Sequence, residues 1–137
     1  MERQTRQREA VLDTLAKCGE ALTPTEICER ARTCVATLNL STVYRQLKDL
    51  VDSGEVMKVE IAGQSTRFEA LCEEGRAHSG RGAPHHHHHF HCRSCDRVYP
   101  IHKCPGPMRE LAPRGFRVEH HDLTLHGRCA SCVGAAA

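Results

Sequence analysis

Two short segments with the same spacing decide the fold of the second half of this chain: Cys92-Arg93-Ser94-Cys95 and Cys129-Ala130-Ser131-Cys132. In such a C-x-x-C knuckle two thiolates reach one ion, and two knuckles complete the closed tetrahedron of a structural zinc site. The other interpretations are two redox pairs or unrelated buried cysteines. Redox motifs lie at a strand-to-helix turn and do not come in such pairs, so the spacing favours zinc.

The composition also indicates metal chemistry. The 137 residues include nine cysteines and eleven histidines, and ten of the histidines lie beyond residue 84. Aromatic residues make up only 4% of the chain, so neither half can bury a large core alone. We therefore expect zinc at the four cysteines to contribute folding energy on the order of 10 kcal/mol. We also expect the chain to associate with a second copy.

Charge and hydropathy limit the location and the partners. A net charge of +2 excludes a generally basic protein that coats nucleic acid, although it allows a local basic face. No apolar run reaches the roughly 18 residues of a membrane span, and the first residues lack the apolar stretch of a secretory signal. The sequence predicts a cytoplasmic protein without membrane contact, and in that reducing compartment cysteines serve metals more often than disulfides.

The first seventy residues predict three helices and a hairpin. Val11, Leu15 and Cys18 recur at helical spacing before Gly19, and Thr23-Pro24-Thr25-Glu26 forms a capping box for a second helix. A third helix is expected to start with Ser41 as its N-cap and to end near Gly54, burying Val43, Leu47, Leu50 and Val51. Residues 57–61 and 66–70 alternate around a turn at Gly63-Gln64, which predicts a β-hairpin.

The second half follows a segment rich in glycine and charge. We place a first domain at residues 1–71, a linker at 72–84 and a second domain at 85–137. Within the second domain we expect strands through the histidine run, around Val98–Ile101 and from Phe116 to His126. Pro105-Gly106-Pro107 should break the chain before a short helix that ends ahead of Gly115, and residues 135–137 should form a frayed tail.

The third helix is the candidate for contact with DNA. In a helix-turn-helix the second helix enters the major groove and a following hairpin can contact phosphates. Side chains that could serve on this helix are Tyr44, Arg45, Gln46 and Lys48, and those that could hold the backbone are Arg3, Arg6, Arg8, Lys58 and Arg67. An exposed helix face with two basic residues is usually just solvated, so these residues alone do not decide the function.

The run of histidines from His85 to His91 leads directly into the first knuckle. In a strand His87 and His89 would project from one face and His86 and His88 from the other, so one strand could supply two metal sites. Partners for these imidazoles are present at Cys72 and at His120-His121. The other interpretation is a solvated loop that binds metals loosely.

In this order the motifs resemble the ferric-uptake-regulator (Fur) family. The matching segments are Thr5–Arg8, the run Ser41-Thr42-Val43-Tyr44-Arg45, the histidines before Cys92-x-x-Cys95, and His121 ahead of Cys129-x-x-Cys132. The resemblance implies an α+β fold: an N-terminal winged helix-turn-helix domain and a small C-terminal α/β dimerisation domain with a four-cysteine zinc site. It also implies a homodimeric, metal-responsive repressor of double-stranded operator DNA, with no small-molecule substrate and no enzymatic activity.

The resemblance also assigns residues to sites. Cys92, Cys95, Cys129 and Cys132 match the structural zinc site. His87 and His89, with Cys72, match the regulatory site at the hinge, and Glu69, Glu60 or His78 could supply its remaining ligand. His86, His88 and His121 match a further site, for which His102, Cys104 or Glu110 could supply the remaining ligand. On the DNA-binding side the matching residues are Arg6, Ser41, Thr42, Tyr44, Arg45 and Lys48.

Cys72 resembles the cysteine that zinc uptake regulators (Zur) use at their hinge, and a thiolate favours zinc. The sequence therefore predicts a zinc-sensing repressor of metal-uptake genes, with zinc as both structural and regulatory metal. The alternatives are an iron, manganese or peroxide sensor of the same family, and a cytoplasmic zinc buffer or metallochaperone, which would need no DNA-reading helix.

Overall fold

The structure is a computed structural model that describes residues 2–71, 88–103 and 108–135. The chain divides into two compact units, residues 1–85 and residues 86–137. The linker predicted at residues 72–84 and the breaker predicted at Pro105-Gly106-Pro107 lie outside the described residues. Among the helices of the described residues, none combines the length and the apolar character that a membrane span requires.

The first unit contains three helices and a two-stranded antiparallel sheet, as the sequence predicts. Its elements are α1 (Glu2–Cys18), α2 (Pro24–Ala31), α3 (Leu40–Asp52), β1 (Val56–Val59) and β2 (Arg67–Ala70). Its core is apolar, and the side chains of Val11, Ile27, Val43, Leu47 and Leu50 are almost fully excluded from water. Gly19 follows α1 with a φ of +64°, a backbone conformation that favours glycine.

The capping box of α2 is confirmed. The Thr23 hydroxyl oxygen accepts a hydrogen bond from the backbone N–H of Glu26, and the Glu26 carboxylate accepts one from the backbone N–H of Thr23. Each bond satisfies a donor that has no partner within the helix. Ile27 and Ala31 are buried as expected.

The predicted N-cap of α3 is wrong. Asn39 caps the helix instead of Ser41: its Oδ1 accepts a hydrogen bond from the Thr42 N–H at 2.9 Å. Ser41 lies in the first turn and donates its hydroxyl proton to the same Oδ1 at 2.8 Å. Both residues favour the N-cap position, and the start of the helix two residues earlier decides between them.

A buried ion pair connects the hairpin to α2. Arg67 is only 6% exposed, and its Nη1 donates to Glu26 Oε1 at 3.0 Å and to the Ala21 carbonyl at 3.1 Å. Leu22 and Phe68 exchange two backbone hydrogen bonds, of 2.9 and 2.8 Å, beside this pair. The hairpin is therefore joined to the chain between α1 and α2 by backbone and side-chain bonds together, a connection that the sequence did not predict.

The second unit is a three-stranded sheet with short helices. Its elements are β3 (His88–Cys92), β4 (Val98–Ile101), a 3₁₀ helix (Met108–Leu111), β5 (Thr124–Gly127) and α4 (Ala130–Ala135). The strand order is β4-β3-β5, with β3 antiparallel to β4 and parallel to β5. The central strand is thus the one that carries the histidines and ends in the first knuckle.

One strand prediction for this unit is wrong. The strand expected from Phe116 to His126 is confined to Thr124–Gly127, where it pairs with β3; Phe116 and Val118 are exposed, so the preceding stretch has no face to bury. The helix α4, which the sequence analysis did not predict, ends at Ala135, the first residue of the expected frayed tail, and residues 136–137 lie outside the described residues. Its start directly after Cys129 brings Cys132 back towards the first knuckle.

We predict that Glu26→Ala lowers the free energy of unfolding by about 2 kcal/mol, because the buried guanidinium of Arg67 loses countercharge and α2 loses half of its capping box. Urea unfolding of the full chain, followed by helical circular dichroism, measures the change. Glu29→Ala is the matched control, since Glu29 lies exposed on the same helix. Equal unfolding midpoints for the two variants would contradict a stabilising role for the ion pair.

Candidate metal centres and nucleic-acid face

The four knuckle cysteines converge on one point. Their sulfur atoms all lie within 4.8 Å of one another, and the Sγ atoms of Cys95 and Cys129 are 3.8 Å apart. A tetrahedral ion with Zn–S bonds of about 2.3 Å separates its sulfur ligands by about 3.8 Å. Within the described residues this is the one group of three or more ligand-type side chains that meets the spacing for an ion.

The sheet register explains why the two knuckles meet. Cys92 ends β3 directly opposite Gly127, the last residue of β5, and the Arg93 N–H donates to the Gly127 carbonyl at 2.8 Å. The parallel pairing therefore delivers both knuckles to the same end of the sheet. A Cβ on Gly127 would lie 3.2 Å from the Phe90 ring, so the close approach of the strands favours glycine there.

Backbone donors prepare the first sulfur for metal. The N–H groups of Cys129 and Cys95 donate to Cys92 Sγ at 3.3 and 3.5 Å, and they lower the pKa of that thiol to about 6. The neighbouring thiol of Cys129 raises the pKa of Cys132 to about 12. Without a cation, the cluster thus holds protons that metal binding must displace. The donor set and its spacing fit a structural zinc ion, held by Cys92, Cys95, Cys129 and Cys132.

In its described part, the interior of this unit contains few buried side chains. Among its described residues, the buried side chains are His88, His89, His91, Cys92, Val98 and Cys129. Only one of these six is an ordinary aliphatic side chain, so apolar burial alone provides little stability. The cysteine cluster and the histidines of β3 occupy the place that an aliphatic core has in the first unit.

Two of the histidines predicted for the further metal site lie together. His88 and His121 stack with ring centroids 4.9 Å apart, and their Nε2 atoms are separated by 3.2 Å. His86 lies outside the described residues, and His102 is exposed after β4. The structure thus brings together two members of this predicted set.

The regulatory set is divided between the two units. Glu69 lies in β2 of the first unit and is 3% exposed, and His89 lies in β3 of the second and is 8% exposed. The backbone N–H of His89 donates to the Leu123 carbonyl at 3.1 Å. Cys72 and His87 lie outside the described residues, so this ligand set stays a prediction.

A second pair of imidazoles did not emerge from the sequence. His91 and His126 face one another across β3 and β5, with their Nδ1 atoms 3.3 Å apart, and Asp96 Oδ1 lies 2.6 Å from His91 Nε2. The alternation that separates His86 and His88 from His87 and His89 also places His91 on the face of His89. Extending the alternation by two residues would have placed His91 on that face, whereas its pairing with His126 depends on the register of β3 and β5.

The exposed face of α3 presents Tyr44, Arg45 and Lys48, as the sequence predicts, and Tyr44 is 54% exposed. Lys48 Nζ donates to Asp52 Oδ2 at 2.9 Å, which raises the pKa of the lysine. An exposed pair one helical turn apart exchanges readily for other partners. A cleft of about 710 Å³ separates this face from the hairpin, with Tyr44 and Lys48 on one wall and Lys58 on the other.

Other candidate DNA contacts occupy different positions. Gln46 is 1% exposed and Thr42 is buried, so the expectation that Gln46 faces a ligand is wrong; both lie on the side of α3 that meets the core. Arg67 is engaged in its buried pair with Glu26, and Arg8 pairs with Glu55, which removes the reason to expect them at phosphates. Ser41 and Arg6 are exposed.

We predict that Cys95→Ser removes one tightly bound zinc ion per chain and loosens the second unit, because three thiolates no longer close the tetrahedron. Structural zinc sites contribute on the order of 10 kcal/mol in zinc-finger peptides. Elemental analysis of purified protein gives the zinc count, and proteolysis of the full chain reports the loosening. Cys34→Ser, an exposed cysteine of the first unit, is the control. A Cys95→Ser protein with undiminished zinc and protease resistance would refute the assignment.

Comparison with known proteins identifies the family. The model of the Ferric uptake regulator family matches residues 2–126. The chain is 30% identical over 134 residues to the Ferric uptake regulation protein of Bacillus subtilis (strain 168), covering 95% of this chain and 85% of that one. It is 28% identical over 132 residues to the Peroxide operon regulator of the same organism, covering 93% and 82%.

The solved structure of a zinc uptake regulator complexed with zinc and DNA is 25% identical, with a TM-score of 0.62, and covers 94% of this chain and 82% of that one. The two units, the paired knuckles and the family match agree with the resemblance found in the sequence. The chain belongs to the Ferric uptake regulator family of metal-responsive transcription regulators.

Proposed function

We propose that this protein is a zinc-sensing transcriptional repressor that binds double-stranded operator DNA as a homodimer when loaded with metal. The observation that carries the proposal is the exposed Tyr44 and Arg45 on α3, in a unit whose opposite helix face is packed into an apolar core. That arrangement provides a rigid helix with a free polar face near its N-terminal half, the part that reaches base edges in helix-turn-helix proteins.

The cleft between α3 and the hairpin supports DNA as the ligand. Lys48 and Lys58 lie on opposite walls of it, so a phosphate backbone that crosses the cleft would meet a cation from each side. Lys58 also pairs with Glu60 at 3.4 Å, and both lysines are more than half exposed, so neither ion pair costs much to exchange for a phosphate.

Exposed apolar side chains in the second unit support self-association. These side chains are Leu111, Phe116, Val118, Leu125 and Val133, and Leu111 is 82% exposed. Monomeric proteins rarely leave so many large apolar side chains of one small unit in water. A second copy of the chain would cover them and hold two α3 helices for the two halves of an operator.

The regulatory metal would act by limiting the relative orientations that the two domains can adopt. In this mechanism an ion held by Cys72, Glu69, His87 and His89 restricts the relative orientation of the two domains, so that a larger fraction of dimers fits the operator. The apparent affinity for DNA rises with that fraction. By linkage, operator DNA strengthens regulatory metal binding by the same factor.

The thiol of Cys72 supports zinc, since thiolates prefer zinc to the oxygen-loving metals, and the zinc-and-DNA complex of a zinc uptake regulator is a structural relative. An iron or peroxide sensor is the second candidate. The names of the two Bacillus subtilis relatives favour it, and so does the buried carboxylate of Glu69, because carboxylate ligands suit iron and manganese.

We predict that Arg45→Ala weakens binding of zinc-loaded protein to operator DNA by about 5- to 100-fold, because one side chain at a base edge or phosphate is lost. Fluorescence anisotropy with fragments from upstream of metal-transport genes, at fixed salt, measures the affinity. Arg114→Ala, an exposed arginine of the second unit, is the control. If no fragment binds in the presence of Zn²⁺, Mn²⁺ or Fe²⁺, the protein is a zinc buffer rather than a repressor.

We predict that Cys72→Ser abolishes the zinc dependence of DNA binding while the dimer and the zinc of the four-cysteine site persist. The reason is that a serine hydroxyl is a far poorer ligand for zinc than a thiolate. Anisotropy titrations with Zn²⁺, Mn²⁺ and, under anaerobic conditions, Fe²⁺ compare the variant with the wild type and with Cys34→Ser. An unchanged zinc response in Cys72→Ser, or a response of the wild type to iron alone, would overturn zinc sensing.

A further inference from the structure

The facing imidazoles of His91 and His126 form a pair that no site described above uses. The parallel register of β3 and β5 places these residues directly side by side. Their rings meet edge to face, with centroids 5.4 Å apart at 85°, and their Nδ1 atoms are 3.3 Å apart. His91 is buried and His126 is exposed, so the pair is open to solvent from one side.

Asp96 fixes the orientation of the buried ring. Its Oδ1 lies 2.6 Å from His91 Nε2, the nitrogen on the far side of the ring from His126. A carboxylate acceptor at this distance assigns the proton to Nε2, which leaves the Nδ1 lone pair of His91 directed at His126. Asp96 has a φ of +64°, and it is the one non-glycine residue with a positive φ among those described. The turn would favour glycine, and the aspartate there positions the imidazole.

The separation of the two nitrogen atoms fits a metal ion. Imidazole nitrogens bind zinc at about 2.0–2.1 Å, and two such ligands of a tetrahedral ion lie about 3.3 Å apart. Histidines that bind metal commonly donate their other N–H to a carboxylate, which fixes the tautomer and the ring, as Asp96 does for His91. The same distance also suits a direct N–H···N hydrogen bond from His126 to His91, which is the competing arrangement.

We propose that His91 and His126 bind a divalent transition-metal ion of the zinc type through their Nδ1 atoms, with Asp96 as the positioning residue. Two imidazole ligands suit zinc, copper or nickel, and the exposed side of His126 leaves the remaining coordination positions to water. The site is separate from the four thiolates, because His91 and Cys92 are consecutive residues of a strand and project from opposite faces. It is independent of the proposed DNA binding and of the regulatory site.

The experiment uses the full ¹⁵N-labelled chain with zinc in its four-cysteine site, titrated with Zn²⁺ and followed by long-range imidazole ¹H–¹⁵N correlation. The expected result is that Nδ1 of His91 and Nδ1 of His126 shift together to metal-bound positions. A signal that disappears in a single histidine variant belongs to the replaced residue, and this distinguishes the signals of His91 and His126 from those of the other histidines. If Nδ1 of His126 keeps its proton at saturating zinc, the pair is a hydrogen bond and the proposal fails.

Equilibrium dialysis of variants against Zn²⁺ gives a second readout. His126→Gln, at an exposed position, should bind one zinc ion fewer per chain than the wild type. His120→Gln is the matched control, because His120 is also exposed on the same segment and also faces a carboxylate, Asp122 Oδ1, at 3.1 Å. Equal zinc counts for wild type, His126→Gln and His120→Gln would overturn the proposal.

Asp96→Gly separates a positioning role from a structural one. Glycine relieves the positive φ, so thermal stability of the protein with zinc at its four cysteines should hold or rise, whereas affinity for the added zinc should fall about 10- to 100-fold as His91 loses its acceptor. A variant that binds the added zinc with wild-type affinity would show that Asp96 does not position the ligand.

Discussion

The four-sulfur cluster at the end of β3 is the constraint on which the second unit depends. Among its described residues the interior holds three imidazoles, two thiols and one valine, a set too polar for hydrophobic burial to hold together. A zinc ion would change the balance, since one ion bonded to four sulfurs would fix the end of β3, the start of α4 and the return of β5 at once. The stability of such a unit would then depend on the metal that it holds.

The first unit is stabilised by the packing of apolar side chains instead. Its apolar core draws on α1, α2, α3 and both strands, and its one deeply buried cation, Arg67, is met by Glu26 and the Ala21 carbonyl in the part of the unit that the structure describes. Within the described residues this core packs through apolar side chains, so the shape of the helix that carries Tyr44 and Arg45 does not depend on an ion. Such a regulator could vary its metal occupancy without unfolding the helix that we propose contacts DNA.

Local signals in the sequence predicted much of the secondary structure and the cysteine cluster. The features that depend on pairing between distant segments were not predicted. The helices of the first unit, the capping box and the knuckles are set by residues within a few positions of one another, and they were predicted. The errors at Ser41 and at Phe116–His126 arose where two good candidates compete or where a strand needs a partner. The sequence predicts that Arg67 and Gln46 are polar surface residues, because their burial depends on contacts made by distant segments. The regulatory ligand set could be predicted only from the family resemblance.

The histidines of the second unit illustrate how a polar residue can serve as core. A buried imidazole is costly unless each ring nitrogen meets a partner. Here β3 directs His88 and His91 to opposite faces, and each meets a second imidazole, His121 or His126, at a nitrogen separation of 3.2 or 3.3 Å. A shared proton can hold such a pair in the absence of metal, and an ion of the right size can replace that proton without moving the strands. With zinc at the four cysteines, the central strand can thus keep its position whether or not these imidazole pairs bind metal.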